Sequence, residues 1–328
     1  MRITALAGGI GGARFLRGLL AHLRSAGQGD TTEVTVIGNT ADDITLFGLR
    51  VCPDLDTVMY TLGGGVHEEQ GWGRADETFT VGAELREYDV PPDWFSLGDR
   101  DFATHIVRTQ MLRSGWPLSD VTAALCDRWQ PGVRLLPMSD EQVETHVVVD
   151  DPGGEGGRRA LHFQEWWVRH HATLPAREFV FLGADVAKPA PGVVDALREA
   201  DVVLLPPSNP VVSIGPILAV PGVRDALVAT PAPVVAVSPI VGDAPVRGMA
   251  DACLSAIGVN TTAEAVAGHY GARVAGGLLD GWLVDDVDAS TGAPAGVVQR
   301  ARPLLMTDVP AAAAIAGAAL GLAVELRR

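Results

Sequence analysis

A glycine-rich loop between an apolar strand and a helix is the feature that most constrains the fold of this chain. Residues 3–7 (ITALA) have the apolar pattern of a short buried strand, residues 8–12 (GGIGG) follow directly, and residues 13–20 have helical periodicity. This order opens the nucleotide-binding half of a doubly wound α/β fold, where backbone NH groups at the helix start contact a phosphate. The loop positions that we expect to bind such a ligand are Gly9, Gly11 and Gly12.

The glycine loop departs from two common nucleotide-binding fingerprints. A GxGxxG motif beginning at Gly9 would require glycine where Arg14 stands, and the acidic ribose ligand of NAD-binding folds is missing after the second strand. A P-loop requires lysine, and the only lysine of the chain is Lys188. The interpretation that remains is binding of a phosphate or nucleotide through the glycine backbone. Arg14 is then either a contact to the anion or part of a solvated helix face.

A second motif, GNTADDITLFGLRVCPDLD at residues 38–56, follows an apolar strand at residues 34–37. It carries two carboxylate pairs around an amphipathic bridge at residues 44–51. Carboxylates clustered at the carboxyl end of a strand suit Mg²⁺ held against a phosphate, because hard oxygens match a hard cation. Asn and Asp also cap turns and helix starts, which is the competing interpretation. The four carboxylates are Asp42, Asp43, Asp54 and Asp56.

The remaining chain predicts an α/β domain, residues 1–328, with a mainly helical insertion at about 66–130. Within the insertion, LGDRDFATH at residues 97–105 offers Arg100 and His105 to a substrate, whereas its aspartates suit helix capping. Residues 160–168 are predicted to form a strand ending at two adjacent histidines, which would face opposite sides and chelate poorly. An α/β alternation resumes at residue 179.

A proline-rich turn, PPSNPVVSIGP at residues 206–216, follows another predicted strand. Its prolines stiffen the backbone, and its neutral polar side chains lie at a carboxyl edge, where open α/β sheets bind ligands. The residues expected to contact a ligand here are Ser208, Asn209, Ser213 and Gly215.

Composition restricts the function classes. A formal net charge of −15 argues against nucleic-acid binding. Three cysteines without CxxC spacing, and an N-terminus without a signal-peptide pattern, predict a reduced cytoplasmic protein. The apolar run at residues 309–324 is too short and too weakly hydrophobic for a confident membrane span. We expect it to be a helix packed on the domain or on a second subunit.

The chain resembles the 2-phospho-L-lactate transferase family of coenzyme F-420 biosynthesis. The resemblance is carried, in order, by the stretches GGIGGARFL (8–16), NTADD (39–43), CPDLDTVMY (52–60), LGDRDFATHI (97–106), LLPMSD (135–140), PSNPVVSIGPIL (207–218) and VAVSPIVGDAPV (235–246). Many relatives have GGTG where this chain has GGIGG at residues 8–12.

The resemblance implies a Rossmann-like, mostly parallel sheet, Mg²⁺ dependence and a homodimer. It implies transfer of a phosphoenolpyruvyl or 2-phospho-L-lactyl group from a guanosine diphosphate-linked three-carbon acid to the deazaflavin alcohol Fo, with release of GMP. Phosphoryl transfer depends mainly on positioning and charge neutralisation. The metal ligands would be Asp43, Asp54 and Asp56, the proton acceptor Asp43 or Asp56, and further substrate contacts Asn39, Thr40 and Arg100.

Two rivals remain at this stage. A non-enzymatic nucleotide-sugar-binding regulator, like the related gluconeogenesis-factor family, would share the glycine loop and the Asn39 region. An NAD-dependent oxidoreductase is disfavoured by the missing ribose ligand. The substitution Asp56→Asn would distinguish a catalytic role of Asp56 from a helix-capping role. The sequence places Asp56 in a loop, so this substitution should leave folding intact.

Overall fold

The computed structural model describes residues 1–327. Its strands are β1 (Arg2–Ala7), β2 (Glu33–Gly38), β3 (Ile44–Leu46), β4 (Leu49–Val51), β5 (Arg134–Pro137), β6 (Glu144–Asp150), β7 (Arg158–His162), β8 (Ala176–Leu182), β9 (Val202–Leu205), β10 (Val234–Val237), β11 (Ile240–Val241), β12 (Ala244–Pro245), β13 (Gly281–Val284) and β14 (Val298–Ala301). Its α-helices are α1 (Gly9–Ser25), α2 (Pro53–Leu62), α3 (Thr80–Glu87), α4 (Asp99–Arg113), α5 (Leu118–Trp129), α6 (Val193–Arg198), α7 (Gly215–Ala219), α8 (Val223–Ala229), α9 (Ala250–Ala256), α10 (Ala263–Tyr270) and α11 (Val309–Leu326). The π-helical segments are Glu165–Arg169 and Pro210–Ile214.

Seven strands form the main sheet in the order β14-β13-β10-β9-β1-β2-β5. All neighbouring strands run parallel; β1, for example, pairs Leu6 with Ile37 of β2 and Ala5 with Leu204 of β9. Parallel neighbours require long crossovers, which here contain the helices. The predicted α/β fold is confirmed.

The main sheet is buried on both faces, as its near-continuous apolar strands require. Alternate residues of β1 serve opposite layers: Leu6 packs in the layer that contains α6 and α10, whereas Ile3 and Ala5 pack against α1 and α11. The sheet therefore presents its carboxyl edge, rather than either face, to ligands.

The insertion between α2 and β5 contains α3, α4 and α5, as predicted. A small apolar cluster, including Leu97 and Phe102 of the insertion, packs against Leu46 and Val51 of the β3–β4 hairpin. The predicted bridge at residues 44–51 is this hairpin. Its two-residue turn places Phe47 and Gly48 at positive φ (54° and 73°), the geometry of a tight hairpin turn.

Residues 160–168, predicted as one strand, divide into β7, which ends at His162, and the π-helical Glu165–Arg169. Phe163 and Trp166 pack against each other with ring centroids 6.0 Å apart. Residues three apart share a side of a helical turn but face opposite sides of a strand, so burying both rings favours the turn. β7 pairs with β6, and β6 pairs with β8 on its other side, in a separate antiparallel sheet.

The C-terminal helix α11 packs on α1 and on the main sheet. Packing on the domain is one of the two alternatives predicted for this helix. At their crossing a Cβ on Gly18 would lie 2.4 Å from the backbone of Ala312, so the two helices meet backbone to backbone. Within residues 1–327, α11 is the one single helix with the length and apolarity to cross a membrane. The intramolecular packing accounts for its apolar surface.

Candidate active site

A cleft of about 610 Å³ opens at the carboxyl edge of the main sheet. β1 and β9 are neighbours, but the strand that follows β1 in this sheet, β2, lies on one side of the pair and the strand that follows β9, β10, lies on the other. The loops that leave β1 and β9 therefore diverge from the gap between these two strands. This is the switch point at which open parallel sheets bind ligands. The lining of the cleft includes Gly9, Gly11, Arg14, Asp42, Asp54, Asp56, Tyr60, Asp101, His105, Ser208, Asn209, Ser213 and Arg247.

The glycine loop packs directly on the loop after β9. A Cβ at Gly11 would lie 2.5 Å from the Pro207 carbonyl oxygen, and one at Gly12 would lie 2.6 Å from Ser208 Oγ. The Ser208 hydroxyl donates a hydrogen bond of 2.8 Å to the Gly8 carbonyl. Gly11 also lines the cleft, whereas Gly12 is buried against its neighbour, so close packing explains that glycine.

Asn39 joins the loops of the site into one network. Its Nδ2 donates to Asp54 Oδ2 at 3.0 Å and to the Val212 carbonyl at 3.2 Å, and its Oδ1 accepts from the Ala41 NH. Asp54 Oδ1 accepts from the Gly9 NH at 2.8 Å. The fully buried Asn39 side chain therefore fixes the ends of β1, β2 and β9 relative to α2.

Asp42 and Asp54 are neighbouring buried carboxylates in the cleft lining. Burial raises the pKa of Asp54 to about 6, although hydrogen bonds from Asn39 and the Gly9 NH oppose the shift. Burial and the charge of Asp54 raise the pKa of Asp42 well above its ordinary value. Asp42 Oδ1 has no hydrogen-bond partner among the described residues. The pair therefore has an unmet demand for a proton or a cation.

Asp43 lies to one side of the cleft. It is fully buried, its Oδ2 is 3.3 Å from Arg50 Nη2, and it is not part of the cleft lining in the described chain. Burial raises the pKa of Asp43 to about 7, while Arg50 opposes the shift. Thr40 is likewise buried outside the lining. Their roles in catalysis and substrate binding stay predictions.

Asp56 is in the first turn of α2 and not in a loop, because the helix begins at Pro53. Both of its carboxylate oxygens accept hydrogen bonds from the Arg108 guanidinium, and the two side chains are 7% and 1% exposed. Burial disfavours the charge of Arg108, but the neighbouring groups, foremost the Asp56 carboxylate, together raise the pKa of Arg108. The predicted placement of Asp56 in a loop is therefore wrong, and we expect Asp56→Asn to destabilise the fold because it would leave a buried cation unpaired.

The helix α4 carries a buried polar stripe at positions i, i+4 and i+7, of which Asp101 and His105 line the cleft and Arg108 pairs with Asp56. Burial, then the charge of Asp56, raises the pKa of Asp101 to about 7. Burial lowers the pKa of His105 to about 4, so this histidine is neutral. The sequence pattern suggested helix capping for Asp101, and it did not identify Arg108 as a residue of the site. The signal was this helical spacing of buried polar residues within the covering insertion.

Other predicted site residues are distributed unevenly. Ser213 and Asn209 line the cleft, and Asn209 Oδ1 caps the π-helical segment by accepting two backbone NH groups. Gly215 begins α7 and is outside the described lining. Arg100 is exposed outside that lining, and its backbone NH donates to Glu77 at 2.8 Å.

The adjacent His170 and His171 follow a helical turn, and not a strand end as predicted. His171 is exposed and lines the cleft, whereas the Nε2 of His170 lies 3.8 Å from Glu165.

The site fits a magnesium ion through its donor chemistry. Within residues 1–327, no three His, Cys, Asp or Glu side chains gather into a complete ligand set. Mg²⁺, however, is usually held by one or two carboxylates together with substrate phosphates and water. Asp42, with its unpartnered buried oxygen, and Asp54 match that requirement. Asp56 matches it less well, because Arg108 already occupies both of its oxygens.

Known proteins resemble this chain over nearly its whole length. The sequence model described as 2-phospho-L-lactate transferase CofD matches residues 3–307. A protein of Thermobifida fusca (strain YX) named phosphoenolpyruvate transferase is 69% identical over 329 residues, which cover 100% of this chain and 99% of that protein. A protein of the same name from Kitasatospora aureofaciens is 65% identical over 330 residues, with the same coverage of each.

Solved structures also resemble the chain. A member of the UPF0052 family from Bacillus halodurans matches with a TM-score of 0.61 at 18% identity, covering 97% of this chain and 99% of that one. At this identity the likeness supports the fold alone.

Proposed function

This chain belongs to the 2-phospho-L-lactate transferase family, a transferase of coenzyme F-420 biosynthesis, and from that premise we propose its reaction. It transfers a phosphoenolpyruvyl group from a guanosine diphosphate-linked three-carbon acid to Fo and releases GMP. The names of the relatives favour the enolpyruvyl over the lactyl donor. The observation that carries the proposal is a glycine loop and a buried carboxylate pair meeting at the switch point of one cleft.

The transfer is a single in-line displacement. The terminal hydroxyl oxygen of Fo attacks the phosphorus that carries the three-carbon acid, the bond from that phosphorus to the bridging oxygen breaks, and GMP leaves with that oxygen. The hydroxyl proton passes to a carboxylate. No covalent enzyme intermediate is required, because phosphoryl transfer relies on positioning and charge stabilisation.

We propose that Asp42 and Asp54 hold Mg²⁺ on the diphosphate of the donor. A bound Mg²⁺ would neutralise the charge that develops on the phosphate oxygens. The chain itself positions this pair through Asn39 and the Gly9 NH, which fix the Asp54 carboxylate before the donor binds. The remaining NH groups of the glycine loop, beyond those of Gly8 and Gly9, are then available to the phosphates.

Two carboxylates compete for the role of proton acceptor. Of the two predicted acceptors, Asp43 lies outside the described cleft lining, whereas Asp56 lines the cleft but already accepts hydrogen bonds from Arg108 at both of its oxygens. Asp101 lies in the same cleft with a pKa of about 7, close to the value a general base needs near neutral pH. We therefore add Asp101 as the second candidate. Comparison of Asp101→Asn with Asp56→Asn in the transfer assay, each corrected for folded fraction, assigns the role to the variant that loses more turnover.

The direct test is to incubate the protein with Fo, Mg²⁺ and either guanylylated acid and to measure product mass. Dehydro coenzyme F-420-0 from the enolpyruvyl donor, and slower or absent turnover of the lactyl donor, is the expected result. Tight nucleotide binding without product from either donor would instead support the regulator hypothesis.

We also propose a cytoplasmic homodimer. The buried thiols Cys52 and Cys253 fit a reducing compartment. The dimer is implied by family membership; α11, which is already covered by α1, supplies no argument for it.

A further inference from the structure

Two arginines from distant parts of the chain converge in the cleft and have no role in the transfer described above. Arg14 lies in the second turn of α1, Arg247 precedes α9, and both belong to the cleft lining. Gly71 of the insertion lies between them. A Cβ at Gly71 would be 3.5 Å from Nη2 of Arg14 and 3.6 Å from Nη1 of Arg247. Two guanidinium groups thus approach one point.

Neither arginine has a carboxylate partner among residues 1–327. Nη2 of Arg14 donates to the Glu68 carbonyl at 3.1 Å, and Nη2 of Arg247 donates to the Gln70 carbonyl at 2.7 Å. The carboxylate of Glu68 is already paired with Arg17 at 2.6 Å. Burial, followed by the charges of Arg247 and Arg17, lowers the pKa of Arg14. Neutral carbonyls balance such a pair only in part, so an anion bound in the cleft within reach of both guanidinium groups would be stabilised.

We propose that Arg14 and Arg247 form an anion subsite for the charged oxygens of the donor, either its diphosphate or the carboxylate of its three-carbon acid. The subsite rests on the proposed function for the identity of that donor. A guanidinium offers a planar fork of NH groups that matches both anions. Within the described chain only Nη2 of each arginine is engaged by backbone, which leaves donors on both forks for a ligand. Arg14 also stands beside the NH groups of the first turn of α1, whose dipole favours the same negative charge.

The experiment is calorimetric titration of the full chain with GDP, guanosine and the guanylylated acid at fixed Mg²⁺. Arg14→Gln and Arg247→Gln should each weaken GDP binding by about tenfold or more, the scale of a lost charge-assisted pair, while guanosine affinity changes by less than about twofold. Arg247→Lys should recover part of the loss, because the charge returns without the fork. The matched control is Arg300→Gln, which removes an arginine whose exposed ion pair with Glu325 (2.8 Å) lies outside the cleft. Thermal unfolding verifies that each variant is folded.

Each binding result either supports or overturns the proposed anion subsite. Loss of GDP affinity assigns the subsite to the diphosphate, and loss of affinity for the intact donor with GDP unaffected assigns it to the acid carboxylate. Unchanged binding of both, or an equal loss for guanosine, overturns the inference. A protein that binds GDP through these arginines but does not modify Fo would refute the proposed function and leave the anion subsite standing.

Discussion

Asp56→Asn should destabilise the protein strongly, and the reason is the buried partner rather than the residue itself. The substitution keeps the shape of the side chain but removes the charge opposite Arg108, whose side chain is 1% exposed. Breaking a buried ion pair by removing one partner costs about 3–5 kcal/mol. At about 2–4 °C per kcal/mol, the melting temperature should fall by roughly 6–20 °C, toward the lower end of that range because this chain is longer than the domains for which the slope holds.

The assay is urea denaturation at fixed Mg²⁺, with thermal unfolding in parallel. Asp150→Asn is the matched control, because Asp150 pairs with Arg177 at 2.5 Å on the surface, where both side chains are more than half exposed. Such an exposed pair contributes little to stability, because water screens the two charges. The double variant Asp56→Asn/Arg108→Met should recover much of the lost stability, since it removes the stranded charge.

Activity measured on the same variants separates structure from chemistry. If Asp56 also serves the reaction, the stabilised double variant stays at least about 100-fold slower than the wild-type protein. A single Asp56→Asn variant as stable as the wild type would refute the reasoning from the buried pair, whatever its turnover.

Three further outcomes are expected. Exhaustive chelation followed by metal-free dialysis should abolish turnover, because the clustered carboxylates of the cleft would otherwise repel a diphosphate; full activity in the dialysed protein would contradict the magnesium site. Gly18→Val should destabilise the protein by about 1–3 kcal/mol or more, because the valine side chain would overlap the backbone of Ala312. The control Gly321→Ala, at an α11 position with no neighbour within 4 Å, should stabilise the protein by about 0.5–1 kcal/mol. Similar effects of the two substitutions would disprove the close contact between the helices. Light scattering at micromolar concentration should give twice the monomer mass, and a monomer alone would count against the homodimer.

The first strand, the glycine loop and the first helix follow from local sequence alone. β1 begins one residue before its predicted range and a helix follows as predicted, because apolar periodicity acts over a few neighbouring residues. The bounds of α1 differ, since the helix begins at Gly9, four residues before the predicted range of 13–20, and ends at Ser25, five residues after it. The same local reasoning fails at Trp166, where the burial of two aromatic rings, and not the strand-like run around them, decides the conformation.

The site itself depends on contacts that no local pattern contains. Asp56 and Arg108 are 52 residues apart, so their pairing is fixed only once α2 and α4 pack. Asp42 and Asp43 are adjacent, yet the turn after β2 directs Asp42 to the cleft and Asp43 to Arg50. The sequence identifies which carboxylates are candidates, and tertiary packing decides which of them a substrate can reach.

The backbone contact between Gly18 and Ala312 also bears on how the protein is made. α1 is among the first helices to leave the ribosome, whereas α11, which covers it, is synthesised about 280 residues later. At typical rates of about 5–20 residues per second, the apolar side of α1 waits on the order of 15–60 s for its partner. We expect the nascent chain to expose apolar surface of the kind that chaperones recognise during that interval, and α1 to be fixed in its final position only when translation is nearly finished.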